Sequence, residues 1–298
     1  MINFNNGKEQ LNKFLGSEKK TTVLYDNKLY MLKYPDPIRI KRRKGGLSYK
    51  NNQYSEHIGS SIFRACGFEA QETVMGYFTD ATGKEKIVVG CKDFTQDGGT
   101  LYELSKLAKQ ITKSEKKLGA TIENVTLIIN SSQLIKNKET IIDSFWDMFV
   151  IDALIGNGDR HFENWGILEH NGKIRFAPIY DCSSALGAPL EEDEMEKLMI
   201  VSDHFKNKEY NISSCYSMEG KRIFYHEIFK NPPDKLAEAI KRIVPRIKMA
   251  EIYSIIDSVS QMSEIRKKYL KKALMLRYKQ ILLSALKRIL NTCDRRSL

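Results

Sequence analysis

The chain has 298 residues, of which 42% are hydrophobic and 29% charged, a composition that excludes a disordered or low-complexity protein. Its net charge of +11 favours polyanionic partners such as nucleotides, nucleic acids or anionic membranes without choosing among them. The five scattered cysteines form no C-x-x-C pair, and no apolar run approaches the ~18 residues that span a bilayer, which argues against a disulfide framework and a membrane-spanning protein.

The first third of the chain predicts antiparallel strands. Residues 21–25 and 28–34 are rich in β-branched and aromatic residues, and the dipeptide Asp26-Asn27 between them favours a hairpin turn. Two further apolar runs, 72–78 and 86–94, flank a turn-like segment and predict a second antiparallel pair. A small β-rich unit is therefore expected at the beginning of the chain.

Helical periodicity marks one segment between the two strand pairs and most of the chain from about Thr100 onward. A helix is expected at 53–67, where Gly67 favours a stop, and an amphipathic helix at 143–156. After the Pro232-Pro233 pair the pattern is almost entirely helical. We therefore predict an α+β, protein-kinase-like fold of two lobes, a small antiparallel-sheet N-lobe at 1–96 and a larger helical C-lobe at 97–298.

The loop behind the amphipathic helix contains the residue pattern that points to chemistry. Asn164 follows Asp159 by five residues, which is the D-x-x-x-x-N spacing of kinase catalytic loops. Asp159 is predicted to be the catalytic base and Asn164 a metal ligand. Asp181, seventeen residues after Asn164 and preceded by a strand-like run, is predicted to be the second metal ligand.

The remaining groups that phosphoryl transfer needs lie earlier in the chain. Lys33 on the second predicted strand is expected to reach the nucleotide phosphates, and Glu56 on the following helix to pair with it. Nucleotide contacts are also predicted at the turn before the first strand and where the strand pattern ends, namely at Gly16, Ser17, Cys91, Lys92 and Asp93.

Taken in order, these segments resemble the HipA-like serine/threonine kinases of bacteria. The resemblance is carried by the loop from Asn157 to Asn164, by the segment PIYDCSSAL around Asp181, and by the lysine strand and acidic helix before them. It implies ATP and Mg²⁺ as cofactors and phosphorylation of protein serine or threonine, including the enzyme itself. Asn157 and His161 are expected to support the loop.

Two alternatives remain open from the residues alone. The D-x-x-x-x-N loop is shared with small-molecule phosphotransferases of the aminoglycoside or choline kinase type. The basic run at 41–46 and the basic C-terminal stretch at 265–290 are compatible with a non-catalytic nucleic-acid-binding or pseudokinase module, although no nucleic-acid motif is recognised. The absence of a bilayer-spanning run predicts a soluble protein, and the resemblance implies synthesis in a bacterial cytoplasm. The N-terminus lacks the apolar core of a Sec signal peptide, so secretion into host cells by a route without such a signal is left open.

Overall fold

The computed structural model describes residues 1–11, 20–35, 51–80, 82–111 and 118–296, of which 293–296 by backbone alone. The predicted nucleotide-loop residues Gly16 and Ser17 and the basic run at 41–46 lie outside the described residues.

The N-terminal strands form one six-stranded sheet. They are β1 (Ile2–Asn3), β2 (Lys8–Gln10), β3 (Lys20–Tyr25), β4 (Lys28–Lys33), β5 (Thr73–Thr79) and β6 (Glu85–Lys92). Their order across the sheet is β1-β5-β6-β4-β3-β2, and every neighbouring pair is antiparallel except β1 and β5. Asp26 and Asn27 join β3 to β4 with φ angles of 49° and 57°, a turn whose twist matches that of the strands, so the predicted hairpin is confirmed.

The alternation of β4 assigns its side chains to two different cores. Tyr30 and Leu32 pack with Phe4 in a small cluster on the outer face of the sheet. Met31 belongs to the large core on the inner face, which α1 (Asn52–Ala65) covers. Because side chains two apart on a strand share a face, Lys33 projects to the inner face, toward α1.

Most of the chain after residue 100 is helical. The helices are α2 (Leu104–Ile111), α3 (Ile122–Ser131), α4 (Lys138–Ile155), α5 (Glu192–Ile200), α6 (Ser202–Tyr210), α7 (Tyr225–Ile228), α8 (Asp234–Ile243), α9 (Met249–Ser258), α10 (Glu264–Arg277) and α11 (Ser284–Arg296). A π-helical segment, Tyr278–Leu283, joins the last two. The helical pattern predicted after Pro233 is thereby confirmed, and among the described residues no helix has both the length and the apolar character that crossing a bilayer requires.

Helix α4 is the central element of this lobe. The sequence predicted one apolar stripe, but the structure buries residues on all sides of the helix, because α3, α8 and α10 all pack around it. Its last turn ends at Gly156, whose φ of 69° is the left-handed conformation that ends many helices. The predicted catalytic loop therefore starts from a rigid, buried support.

Short strands complete the lobe. They form a three-stranded sheet of β7 (Thr100–Glu103), β8 (Gly166–His170) and β9 (Lys173–Phe176), and a hairpin of β10 (Ser213–Met218) and β11 (Lys221–Phe224). Strands β8 and β9 carry the chain from the predicted catalytic loop toward Asp181. The hairpin of β10 and β11 packs beside the same loop, where the carbonyl oxygen of Ser213 would lie 3.0 Å from a Cβ added to Gly158.

Candidate active site

Lys33 lies at the end of β4, and its ammonium group contacts two carboxylates. Its Nζ is 2.9 Å from Oε2 of Glu56 on α1 and 3.0 Å from Oδ1 of Asp181. The side chains of Lys33 and Glu56 are only 3% and 0% exposed, whereas that of Asp181 is 29% exposed. The pairing of Lys33 with Glu56 that the sequence predicted is confirmed, and the same ammonium group also contacts Asp181.

Close packing of α1 holds the segment that carries Asp181. A Cβ atom added to Gly59 would lie 2.5 Å from Cβ of Cys182, so only glycine allows the helix to approach this segment. Two residues before Asp181, the carbonyl oxygen of Ile179 accepts a 2.8 Å hydrogen bond from the amide of Gln71. Asp181 itself has a φ of 57°, a left-handed conformation uncommon for residues with a side chain.

The loop after α4 folds back on itself around Asp159. Nδ2 of Asn164 donates to the carbonyl oxygen of Asp159 at 2.8 Å, which leaves the amide oxygen of Asn164 as the atom suited to a metal. Nδ1 of His161 accepts from the amide of Glu163 at 3.2 Å, and its Nε2 lies 3.9 Å from Oδ1 of Asp159. The Asp159 side chain is 52% exposed and accessible to an acceptor.

Asn157 links this loop to α4. Its Nδ2 donates to Oδ1 of Asp152 at 3.0 Å, and its Oδ1 accepts from the amide of Asp159, also at 3.0 Å. One side chain thus bonds the buried helix and the backbone of the predicted base. These two bonds are the contacts that a loop-supporting residue needs. The sequence analysis assigned this role to Asn157 from the family resemblance alone.

Arg160 joins the catalytic loop to the segment of Asp181. The side chain is buried, and its Nε and Nη2 donate to the two carboxylate oxygens of Asp152 at 3.0 and 3.1 Å. Its Nη1 donates to the carbonyl oxygens of Asn164 at 2.9 Å and Asp181 at 3.1 Å, and its Nη2 contacts Sγ of Cys182 at 3.4 Å. Both predicted metal ligands therefore share one guanidinium as an anchor, a role that the sequence analysis did not assign.

Two buried tyrosines fix the backbone on both sides of Asp159. The hydroxyl of Tyr225, at the start of α7, donates to the carbonyl oxygen of Asn157 at 2.6 Å. The hydroxyl of Tyr216 on β10 donates to the carbonyl oxygen of Arg160 at 2.7 Å, and it accepts from Nε1 of Trp165 at 2.8 Å. The sequence analysis missed both residues.

Two consecutive serines lie between the predicted metal ligand and the predicted base. The hydroxyl of Ser183 donates to Oδ1 of Asp181 at 2.7 Å, and that of Ser184 to Oδ2 of Asp159 at 3.1 Å. Burial acts to raise the pKa of Asp181, but the Lys33 ammonium and the Ser183 hydrogen bond outweigh it and hold that pKa below its usual range. Asp181 is therefore ionised near neutral pH.

The three nucleotide contacts predicted at the end of the strand pattern have different surroundings. Cys91 is buried on the inner face of the sheet, and burial raises the pKa of its thiol. Lys92 forms a 3.0 Å ion pair with Glu72. Asp93 accepts hydrogen bonds from the amide and hydroxyl of Thr95 at 2.8 and 2.7 Å. Cys91 thus shares a sheet face with Lys33, and a contact of any of the three with nucleotide stays a prediction.

The donor atoms at the site fit one particular kind of metal. Within the described ranges, no group of three or more His, Cys, Asp or Glu side chains is arranged to hold a metal ion. The predicted ligands are instead an amide oxygen on Asn164 and a carboxylate on Asp181. Mg²⁺ prefers oxygen ligands and commonly uses one or two protein groups together with substrate phosphates. The residues therefore fit Mg²⁺ bound jointly with a nucleotide.

Comparisons with known proteins point to one family. The model of the HipA-like C-terminal domain family matches residues 14–264. The serine/threonine-protein kinase CtkA of Helicobacter pylori is 34% identical over 256 residues, which cover 84% of this chain and 76% of the relative. Both findings confirm the resemblance that was read from the motifs.

Solved structures lead to the same fold. The crystal structure of a Helicobacter pylori proinflammatory kinase, CtkA, superposes with a TM-score of 0.88 at 32% identity and covers 98% of both chains. HipA of Shewanella oneidensis, solved in a toxin–antitoxin complex with HipB and operator DNA, has a TM-score of 0.57 at 13% identity, covering 95% of this chain and 68% of that one. The second likeness shows the fold alone, and the predicted two-lobed, kinase-like α+β fold is confirmed.

Proposed function

Because this chain belongs to the family of the HipA-like C-terminal domain and is an enzyme of the kinase class, we propose that it transfers the γ-phosphoryl group of ATP to serine or threonine hydroxyls of proteins. The observation that carries the proposal is the contact of Lys33 with both Glu56 and Asp181. Through this contact, the proposed phosphate-binding lysine meets the segment that carries the proposed metal ligand.

The proposed nucleotide end of the site combines one cation with oxygen donors. Lys33 neutralises phosphate charge, and Glu56 keeps the ammonium in place because its carboxylate is fully buried against it. Asn164 and Asp181 would hold Mg²⁺, which supplies further positive charge to the phosphates when bound. The placement of Cys91 beside this group supports its inclusion among the nucleotide contacts.

The proposed acceptor end of the site is the carboxylate of Asp159. A general base must lie within hydrogen-bond reach of the hydroxyl whose proton it accepts, and an exposed carboxylate is open to a serine or threonine of another protein. Asn157, Arg160 and the two tyrosines hold its backbone, so the carboxylate is oriented before the acceptor arrives. Such preorganisation is a major source of rate in phosphoryl transfer.

The proposal includes two finer elements that concern substrates and place of action. We propose that the chain phosphorylates itself, and that it acts on proteins of a host cell, as its similarity to a proinflammatory kinase of Helicobacter pylori suggests. The second element is tested by adding the purified chain and its Asp159→Asn variant to cultured host cells and measuring cytokine release. A response that both proteins elicit equally would exclude kinase-dependent action.

Phosphoryl transfer is tested with labelled ATP and Mg²⁺, using the purified chain with a protein acceptor in one arm and an aminoglycoside or choline in the other. Asp159→Asn and Asp181→Asn should each abolish transfer to protein, while Asp203→Asn, an exposed aspartate on α6, serves as the matched control and retains it. Labelling of the small molecule alone would establish the other acceptor class. Transfer that survives in either site variant would contradict the proposed roles.

A further inference from the structure

We propose that Ser184 is a phosphoacceptor of this enzyme and that Asp159 of the same molecule directs the transfer. The inference rests on the proposed kinase function and names one substrate of the same site. Its consequence is an enzyme that limits its own activity.

The first argument is the position of the Ser184 hydroxyl. Its Oγ donates to Oδ2 of Asp159 at 3.1 Å, within the ~2.6–3.2 Å over which a general base takes a proton from an acceptor hydroxyl. Ser184 is exposed, as is the carboxylate that it contacts. The hydroxyl therefore lies within hydrogen-bond reach of the base, as the acceptor hydroxyl of a substrate protein must.

The second argument is the rigid attachment of the segment that carries this serine. Asp181, the predicted metal ligand, lies three residues earlier, and the intervening Cys182 packs against Gly59 and contacts the buried guanidinium of Arg160. Ser184 is thus held between the metal ligand and the base, so an intramolecular reaction needs no large movement of the chain.

The neighbouring serine has a different role in this geometry. Ser183 is buried and donates its hydroxyl to Oδ1 of Asp181 at 2.7 Å. It points to the metal ligand and not to the base. Of the two consecutive hydroxyls, only that of Ser184 has both the exposure and the partner that an acceptor needs.

The reaction balances with ATP as the only co-reactant. Oγ of Ser184 forms a bond to the γ-phosphorus, and the bond from that phosphorus to the oxygen bridging the β- and γ-phosphates breaks. ADP leaves with the electron pair of that bond, and the hydroxyl proton passes to Asp159. The product is a phosphoserine ester at position 184.

Phosphate at this position would oppose further turnover. A phosphoserine carries about −1.5 to −2 charges at neutral pH. Because the Ser184 hydroxyl contacts Asp159, a phosphate there repels that carboxylate and hinders the approach of a second acceptor to it. We expect the rate of phosphate transfer to an added protein to fall by about tenfold or more as Ser184 becomes phosphorylated. A charge repulsion equivalent to one pKa unit is enough for a factor of ten.

The experiment follows phosphate on the full chain by peptide mass spectrometry during incubation with Mg²⁺ and ATP, with an added protein acceptor in the same tube. The wild-type chain should gain phosphate on the peptide that contains Ser184, at a fractional rate independent of enzyme concentration. Ser184→Ala should lose this label and show no slowing toward the added protein, and Ser184→Thr should be labelled on threonine. Ser254→Ala, an exposed serine on α9, is the matched control and should behave as wild type.

Failure of this proposal is distinguishable from failure of the proposed function. Phosphorylation of the added protein without phosphate at Ser184 refutes the self-acceptor role and leaves the kinase function intact. A fractional rate that rises with enzyme concentration refutes transfer within one molecule. If neither the chain nor the added protein gains phosphate, both proposals are refuted.

Discussion

Replacing Arg160 with methionine should separate the stability of the fold from the geometry of the active site. The guanidinium is buried and bonds both carboxylate oxygens of Asp152, which is itself 1% exposed. Removing one partner of a buried ion pair leaves an uncompensated charge and costs about 3–5 kcal/mol. The single variant should therefore unfold at lower urea concentration, with a free energy of unfolding reduced by that amount.

A second substitution, Asp152→Asn, removes the charge that the first leaves behind. The double variant should regain at least half of the lost stability, because replacing both members of a buried pair by neutral groups is often nearly neutral. It should not regain activity, since the anchor between Asn164 and Asp181 is still missing. A misplacement of about 1 Å can cost about a hundredfold in rate, so kcat should stay lower by that order.

The pH dependence gives an independent check on the same pair. Burial raises the pKa of Asp152, although Arg160 and Asn157 oppose the rise. Without the guanidinium that pKa rises further, and a carboxyl with a raised folded-state pKa gains stability as the pH falls toward it. The single variant should therefore approach the double variant in stability as the pH is lowered from neutral. Recovery of kcat in the double variant, or a single-variant cost below about 1 kcal/mol, would refute the reasoning.

Further substitutions test packing and hydrogen bonding around the site and a buried histidine of the N-terminal lobe. Gly59→Ala should displace the segment that carries Asp181 and weaken nucleotide binding in a fluorescent-ATP titration. Cys182→Gly in the same chain should restore binding, because the two Cβ atoms, which would lie 2.5 Å apart, no longer meet. Tyr216→Phe and Tyr225→Phe should each cost about 1–3 kcal/mol of unfolding free energy and lower kcat with little change in the KM for ATP, since each leaves a buried carbonyl without its donor; an unchanged kcat would exclude a positioning role. Burial lowers the pKa of His57 to about 4, so between about pH 7 and about pH 5 only the unfolded state gains a proton at this histidine. Over that range the free energy of unfolding of wild type should fall by about 2 kcal/mol more than that of His57→Gln. Equal losses in urea titrations at the two pH values would contradict this.

The site residues that could be predicted from the sequence are those that belong to motifs with a fixed spacing or a fixed order along the chain. Asp159 and Asn164 are separated by a fixed number of residues within one loop, and Lys33 lies on a strand with strong β-forming neighbours. Their order along the chain, with Glu56 and Asp181, matches the order in which a kinase-like fold brings them together. The division into lobes at residue 96 stays a prediction, and the structure places the end of β6 at Lys92 and the start of β7 at Thr100.

The supports of the site were harder to predict, for physical reasons. Tyr216 and Tyr225 act through single hydroxyls on backbone carbonyls, and an isolated tyrosine in a short strand has no spacing that marks such a bond. Two signals were present but not used. Asp152 lies on the apolar stripe of a predicted helix, which implies a buried charge in need of a partner, and Arg160 follows within the motif. Gly59 interrupts a good helix, which often marks a close approach of another segment.

The ammonium of Lys33 is shared between a carboxylate of the N-terminal lobe and one of the C-terminal lobe. A cation that binds Asp181 has to compete with this ammonium, and phosphate oxygens that attract the ammonium make Asp181 easier to occupy. Metal and nucleotide should therefore raise each other's affinity by the same factor, as linkage between two binding equilibria requires. The ion pair between Lys33 and Asp181, which connects the two lobes, would then be replaced by contacts of Lys33 with phosphate and of Asp181 with the metal.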